Sequence, residues 1–459
     1  MKTFWNRQAE QERLRAFLAT KSGGLAVVYG RRRCGKSTLL QRVLDPQAVY
    51  FQADQREAPL QMRSVLTALA RVLPEFDRAA YANWDDLLSV LYTRTSQRLC
   101  VCLDEFPYLV QGAPELPSIL QRYVDHPEVP IQWILCGSSQ RMMQGLVLDR
   151  TAPLYGRAAE ILKLEPLGAG WLAQALRLTP AEAVEAYSVW GGVPRYWELA
   201  AGHKDLESAV RALVWDRFGV LHEESQRLLL DDMRGGAVQL YSIMSLIGGG
   251  CHRVSEIAGR LGKPMPSLMR PLAQLCELGY VRRDVPFGAN PKNSKRSLYR
   301  LRDSFLRFYF RFVLPYESAL AQGVTGEAQH AWRAARVHHV AACWEDLSRA
   351  SVPWLSWAGQ TWGMASAWWG GAGGPVEFDV VALSLDGQEL LIGECKWAEK
   401  KAAVDVTKLA AQLRAKACAI PEAKGRRIVT ACWLGGAATA QGQIDHLFHS
   451  KDVLTALER

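Results

Sequence analysis

The opening segment alternates between two apolar periods. Arg7 to Leu18 carries apolar positions at helical spacing, and Leu25 to Tyr29 is an unbroken apolar run of strand length. Thr38 to Leu44 returns to helical spacing. Ala48–Gln52, Leu99–Leu103 and Ile131–Cys136 predict three more strands, with helices over Leu60–Leu73 and Trp84–Thr93 between them. Strands alternating with helices predict a parallel sheet with helical crossovers. From Leu167 to Arg234 the pattern is helical, with one marked break at Gly191–Trp197. Three short helices follow, at Val238–Ile247, Val254–Leu261 and Ser267–Leu278. They lead into Gly279–Arg283, a polar tip over Phe287–Lys295 and a second strand at Ser297–Leu301, the order of a winged helix. The last segment opens with the aromatic stretch Ser304–Val313 and a long helix over His330–Ala350. A Trp- and Gly-rich region, Pro353–Pro375, precedes strands at Val376–Ser384 and Glu389–Lys396, joined by a turn at Leu385–Gly387. A helix over Val404–Ala419 and a strand over Arg427–Trp433 close the chain. The expected domains are 1–166, 167–236, 237–303 and 304–459.

Composition narrows the class. A chain of 459 residues with 49% hydrophobic and 22% charged residues is neither disordered nor collagen-like. The net charge of +9 permits an anionic partner without demanding one. Ten cysteines form no C-x-x-C pair, which excludes a zinc knuckle or a thioredoxin-like motif and fits a reducing cytoplasm. The polar start MKTFWNRQAEQERLRAF lacks the apolar core of a signal peptide. No apolar stretch approaches the ~20 residues of a spanning helix, so no membrane partner is expected.

The candidate chemistry begins at Gly30-Arg31-Arg32-Arg33-Cys34-Gly35-Lys36-Ser37, which fits G-x-x-x-x-G-K-[ST] in full between a strand and a helix. Glycines let the backbone fold around phosphate oxygens, and N–H groups up to Thr38 point inward at a helix N-terminus. Lys36 supplies a point charge to the β- and γ-phosphates of ATP, and the Ser37 hydroxyl a ligand for Mg²⁺. Arg31, Arg32 and Arg33 read as a solvated rim. Asp104 and Glu105 emerge at the end of an apolar strand, Asp104 as a metal ligand and Glu105 as the base for the attacking water. Ser138, after the third strand, could sense the γ-phosphate, and Arg157 could neutralise charge on the transferred phosphoryl group. A surface ion pair is the other reading of Arg157.

A second constellation lies near the C-terminus. Glu377 and Asp379 share a strand face, as do Glu394 and Lys396 on the next strand. A hairpin would bring Asp379, Glu394 and Lys396 to one sheet edge. Two carboxylates can hold Mg²⁺ while a lysine positions water beside a phosphate, with Glu345 from the preceding helix as a further ligand. In the three-helix segment, Leu268, Leu272, Leu275 and Leu278 share one face and leave Ser267, Arg270 and Gln274 outward. With Lys292, Lys295 and Arg296 in the tip, that face could meet DNA, or the module could be a structural arm.

Over nearly its whole length the chain resembles the archaeal-type P-loop ATPases of the STAND branch of AAA-like proteins. The resemblance rests on Phe4-Trp-Asn-Arg7 with Glu10, the phosphate loop, Leu103–Phe106, Gly137-Ser-Ser139, Pro153–Arg157, Gly192-Val-Pro194 and Phe305–Phe312. It implies an ATP-driven conformational switch in which Arg7, Glu10 and Pro194 flank the nucleotide base. The C-terminal acids, with Trp368-Trp369 and Gly393-Glu-Cys-Lys-Trp397, resemble the PD-(D/E)XK nuclease core that closes this family's chains, although Glu-Phe-Asp replaces the strict Pro-Asp. The expected fold is therefore α/β: a P-loop NTPase sheet with a helical lid, a winged helix and a restriction-endonuclease-like domain. The competing class is an ATP-bound regulatory protein that docks a partner without cleavage. The oligomeric state stays open.

Overall fold

The computed structural model describes residues 4–232, 237–370 and 376–459. The end of the helical stretch at Arg234 and residues 371–375 of the Trp- and Gly-rich region lie outside the described residues. The chain divides into two compact units, Met1–Pro166 and Leu167–Arg459.

The first unit is an α/β sheet unit. Its elements are α1 (Gln8–Ala19), β1 (Gly24–Tyr29), α2 (Lys36–Val43), β2 (Val49–Gln52), α3 (Ala58–Ala70), α4 (Trp84–Arg94), β3 (Leu99–Asp104), α5 (Phe106–Gly112), α6 (Leu116–Val124), β4 (Ile131–Gly137), α7 (Gln140–Met143) and β5 (Ala158–Lys163). The strands run in the order β2-β3-β4-β1-β5, every pair parallel. A sheet covered on both faces needs strands that are apolar throughout, and β1 and β4 are buried along nearly all their length. Alternate residues divide between two cores. Leu25, Val27, Val101 and Leu135 pack against Val65, Leu69, Leu91 and Leu120, while Ala26, Val28, Ile134 and Cys136 pack against Leu14, Phe17, Leu39 and Leu40. Strand β5 was not foreseen in the apolar pattern. It is an edge strand of sequence AAEILK, only one of whose residues is buried.

The second unit begins with helices α8 (Gly170–Leu176), α9 (Pro180–Trp190), α10 (Pro194–Ala200), α11 (Leu206–Val210) and α12 (Glu224–Asp232). Three helices, α13 (Ala237–Gly248), α14 (Val254–Leu261) and α15 (Pro266–Glu277), then precede an antiparallel hairpin of β6 (Val281–Asp284) and β7 (Leu298–Leu301). Leu268, Leu272, Leu275 and Leu278 are buried and Ser267 and Arg270 exposed, as the spacing predicts. Helices α16 (Ser304–Phe312), α17 (Glu317–Ala321) and α18 (Gly326–Ser351) follow. His339 of α18 sits among Phe308, Phe312 and Trp332, with one ring nitrogen 3.0 Å from the Ser188 carbonyl. Burial in this aromatic cage pushes its pKa down to about 3.

The C-terminal sheet contains β8 (Ser366–Gly370), β9 (Val376–Leu383), β10 (Glu389–Asp405), β11 (Arg427–Gln441) and β12 (His446–His449), with α19 (Val406–Lys416) between β10 and β11 and α20 (Ser450–Ala456) at the end. The order is β12-β11-β10-β9-β8; β9 runs antiparallel to β8 and β10, and the other pairs are parallel. Strands β10 and β11 run further than the apolar pattern predicts, because their distal halves are partly exposed and lack an apolar run. Helix α19 starts at Val406, two residues later than expected, where the Asp405 carboxylate accepts the Lys408 N–H at 2.9 Å.

The β6–β7 tip folds onto the edge strand β8. The Phe287 N–H donates to the Ala367 carbonyl at 2.9 Å, and Arg296 donates to the Trp369 carbonyl at 3.1 Å. Gly288 lies at φ 75°, a left-handed conformation that strains any L side chain, and the Glu422 carboxylate fills the space where a Cβ would stand. Arg296, expected to be available to phosphate, is thus held by the sheet; Lys292 and Lys295 remain exposed.

Candidate nucleotide site and carboxylate pair

The phosphate loop leaves β1 at the carboxyl end of the parallel sheet, where open α/β sheets bind ligands. Gly30 lies at φ 149°, and a Cβ there would come within 2.4 Å of the Leu164 carbonyl oxygen. Gly35 caps α2 from the left-handed region, at φ 90°. The N–H groups of the first turn of α2 have no intrahelical acceptors, and the helix dipole adds to their pull on an anion. The Lys36 ammonium is buried and donates to the carbonyls of Gly30 at 2.9 Å and Arg31 at 3.0 Å. It therefore sits inside the loop, over the place where phosphate oxygens would enter.

Ser37 and Asp104 meet. The Ser37 hydroxyl donates to Asp104 Oδ2 at 2.7 Å, and Tyr50 donates to the same oxygen at 2.6 Å. Burial, followed by the hydrogen bond and charge of Asp104, raises the Tyr50 phenol far above its ordinary value. Nothing in the strand sequence marked Tyr50 for this site. Glu105, at φ 54°, begins α5 and accepts the Ser138 N–H at 3.1 Å and the Ser138 hydroxyl at 2.5 Å. Adjacent strands β3 and β4 bring this pair together. Ser37, Asp104 and Tyr50 offer oxygen donors only, which suits a hard divalent cation.

Other expected residues are placed differently. Arg7 is buried, ion-pairs with Glu10 at 2.8 Å and donates to the carbonyls of Cys34 and Glu165. It braces the phosphate loop through the Cys34 carbonyl, beside the place where the resemblance implies a nucleotide base. Of the expected solvated rim, Arg31 is buried, Arg33 half-buried and only Arg32 exposed; Cys34 is buried and Thr38 exposed. Arg157 precedes β5, at the amino end of the sheet and a full strand length from the loop. Its guanidinium pairs with Asp125 at 2.7 and 3.0 Å. In this structure Arg157 therefore makes the surface ion pair that was its other reading. Pro194 opens α10 in the second unit.

In the C-terminal sheet, the β9–β10 ladder ends at the pair Gly393–Val380. Beyond it the Asp379 carboxylate accepts the Cys395 N–H at 2.8 Å, replacing the lost ladder partner. Lys396 Nζ lies 2.8 Å from Glu394 Oε1. Burial and then the charges of Glu394 and Glu345 push Asp379 up to about 7. Burial also raises Glu345, against the pull of Arg349. Asp379 thus feels both of the other carboxylates, yet among the described residues no three Asp, Glu, His or Cys side chains are disposed to hold a metal together. Glu345 lies 3.7 Å from Arg349 and does not complete the expected ligand set. Asp379 and Glu394 remain as a pair of oxygen donors.

The support beneath this pair was missed in the sequence. Arg349 donates to the Asp379 carbonyl at 2.8 Å and to Asp346 at 2.7 Å. Asp346 also receives Arg282 of β6 at 2.5 Å and Arg307 of α16 at 2.8 Å. Burial would raise the Asp346 carboxyl, but three guanidiniums hold it well below the usual range. The E-D-x-x-R spacing on α18 was the available signal.

Residues 4–199 match an ATPase domain predominantly from Archaea. The chain carries a P-loop ATPase domain. Residues 309–407 of this ATPase match a domain from archaeal and bacterial proteins of unknown function. An uncharacterized protein of Methanocaldococcus jannaschii is 29% identical over 335 residues, covering 70% of this chain and 71% of the relative. A Walker-type ATPase of Pyrococcus abyssi shares the fold at a TM-score of 0.51 and 19% identity, covering 67% of this chain and 96% of that one. Among the described residues of the ATPase, no helix is long and apolar enough to cross a membrane.

Proposed function

We propose that the ATPase hydrolyses ATP with Mg²⁺ as a conformational switch, and that its C-terminal sheet is a nuclease-like domain acting on DNA. The ion would be held by Ser37 and Asp104 and would neutralise charge on the β- and γ-phosphates. Lys36 exchanges loop carbonyls for phosphate oxygens. Glu105 takes a proton from the attacking water once Ser138 releases one carboxylate oxygen. At the second site, Asp379 and Glu394 offer oxygen donors to a divalent cation, and Lys396 orients a water.

The observation that carries the nuclease-like reading is the Asp379 carboxylate set in the gap where β9 and β10 part, beside Glu394 and Lys396. The order α18-β8-β9-β10-α19-β11 supports it. Supercoiled plasmid incubated with the full chain and Mg²⁺ or Mn²⁺ tests the reading. Wild type is expected to nick it and Asp379→Ala to leave it intact; equal behaviour of the two ends the cleavage proposal. The doubly held Glu105 favours a second reading, a slow ATPase that acts by holding nucleotide and docking a partner. Turnover stimulated by DNA supports the first reading, and stoichiometric nucleotide retention without turnover supports the second.

A further inference from the structure

Glu394 and Lys396 open into a cleft of about 340 Å³ between β10 and α19, which Asp379 does not line. Its two walls differ in charge. Glu377, Glu394 and Lys396 line the sheet side; Lys408, Gln412 and Lys416 line the helix side. The latter three recur every fourth residue, so they stack on one face of α19 over ~12 Å. All three are exposed. The cleft also holds Asp405, whose carboxylate is engaged with the Lys408 N–H as the helix cap. The other wall of α19 treats its cation differently: Arg414 is closed onto Asp445 at 2.6 Å. Among the described residues, neither Lys408 nor Lys416 is in an ion pair.

Cations and carboxylates are equal in number here, but Lys396 is paired with Glu394 and Asp405 caps α19, which leaves Lys408 and Lys416 as the unpaired cations of the helix wall. The two unpaired lysines of the helix wall suit a chain of phosphate monoanions, one phosphate entering at the Glu394–Lys396 end and its neighbours lying along the helix. A single nucleic-acid strand advances about 3.4 Å of axis per phosphate in a duplex geometry, so the helix wall can accompany several of them. The Gln412 amide adds a donor of the kind that positions backbone without reading sequence. The volume lies at the lower end of the ~300–1,000 Å³ typical of ligand pockets, enough for a nucleotide-sized piece and too small for a duplex.

We propose that this cleft binds the phosphodiester backbone of single-stranded nucleic acid, with Lys408, Gln412 and Lys416 as its track. The proposal rests on the nuclease-like reading and names the substrate of that site. Binding of a labelled single-stranded DNA of about 20 nucleotides to the full chain, followed by fluorescence anisotropy in EDTA over a salt series, tests it apart from cleavage. The Lys408→Ala/Lys416→Ala double variant is expected to weaken binding and to reduce the log–log salt slope by about 1.4, or 0.7 per lost phosphate contact. Arg414→Ala, on the far side of the helix, is expected to keep the wild-type slope. A duplex of the same sequence is expected to bind more weakly, and inorganic phosphate at equal phosphate concentration to compete poorly. An unchanged slope in the double variant, equal affinity for duplex, or full displacement by inorganic phosphate each overturns the proposal. Loss of slope in the double variant, with no cleavage by wild type in Mn²⁺, leaves the track standing and removes the nuclease reading alone.

Discussion

At the phosphate loop, the groups that meet a ligand are main-chain amides and one lysine, and the brace beneath them is also largely main chain. Arg7 grips the carbonyls of Cys34 and Glu165, and Lys36 grips those of Gly30 and Arg31. At the β9–β10 edge, the proposed working groups are side-chain carboxylates. Their brace is a buried ionic cluster in which Asp346 gathers Arg282, Arg307 and Arg349. The first arrangement is local: eight consecutive residues contain most of it. The second is assembled from α16, α18, β6, β9 and β10, so its geometry depends on the packing of the whole second unit. A backbone cradle tolerates side-chain change except at its glycines and its one lysine. A side-chain site held by buried charge fails when any member of the cluster is lost.

That contrast can be broken most sharply at Asp346. Removing one partner from a buried charge cluster typically costs about 3–5 kcal/mol. Asp346→Ala is expected to lower second-unit stability by that amount in denaturant unfolding followed by tryptophan fluorescence; a loss under about 1 kcal/mol would mean the cluster is not a brace. Next comes the loop itself. Lys36→Ala is expected to reduce ATP turnover about 10²–10³-fold, as loss of one pre-organised charge donor does, while leaving the second unit's unfolding unchanged. Wild-type turnover in that variant would end the ATPase mechanism given above.

Acid should separate the two units by a smaller amount. His339 titrates near 3 in the fold, against about 6.5 when unfolded. Between those values the unfolded chain binds the extra proton, so the stability His339 contributes is full above pH ~6.5 and is lost as pH falls. Going from pH 7 to pH 5 is expected to cost the second unit about 2 kcal/mol, and His339→Leu should flatten that dependence. An identical slope in the variant would assign the acid sensitivity elsewhere. The smallest effect is expected at Arg157. As a surface pair with Asp125, its loss in Arg157→Ala should change stability by less than about 1 kcal/mol and leave turnover by the isolated subunit as it was. A large fall in turnover that depends on protein concentration would instead place Arg157 at the loop of a neighbouring copy.

The same contrast explains what could be read from the chain. The phosphate loop is contiguous, so Gly30, Gly35, Lys36 and Ser37 announced themselves by spacing, and apolar runs located β1, β3 and β4 and the edge strand β2. Edge strand β5 escaped because Glu160 and Lys163 interrupt its short apolar run and only Leu162 is buried. Tyr50 escaped because a tyrosine in an apolar strand looks like core until Asp104 is seen beside it. In the second unit, Asp379, Glu394 and Lys396 were legible through strand alternation and a hairpin turn. Glu345 was drawn in by proximity, but the adjacent Asp346, one position along α18, is the residue turned into the buried cluster. Which acid of a neighbouring pair faces inward depends on helix packing, and that is information the local sequence does not carry.

The tip that lies along β8 has one further effect. An outermost strand presents unsatisfied main-chain groups that invite pairing with another molecule. By giving the Phe287 amide and the Arg296 guanidinium to carbonyls of Ala367 and Trp369, the chain quenches part of that rim with its own residues. The loop thereby guards the protein against sticking to itself through this edge.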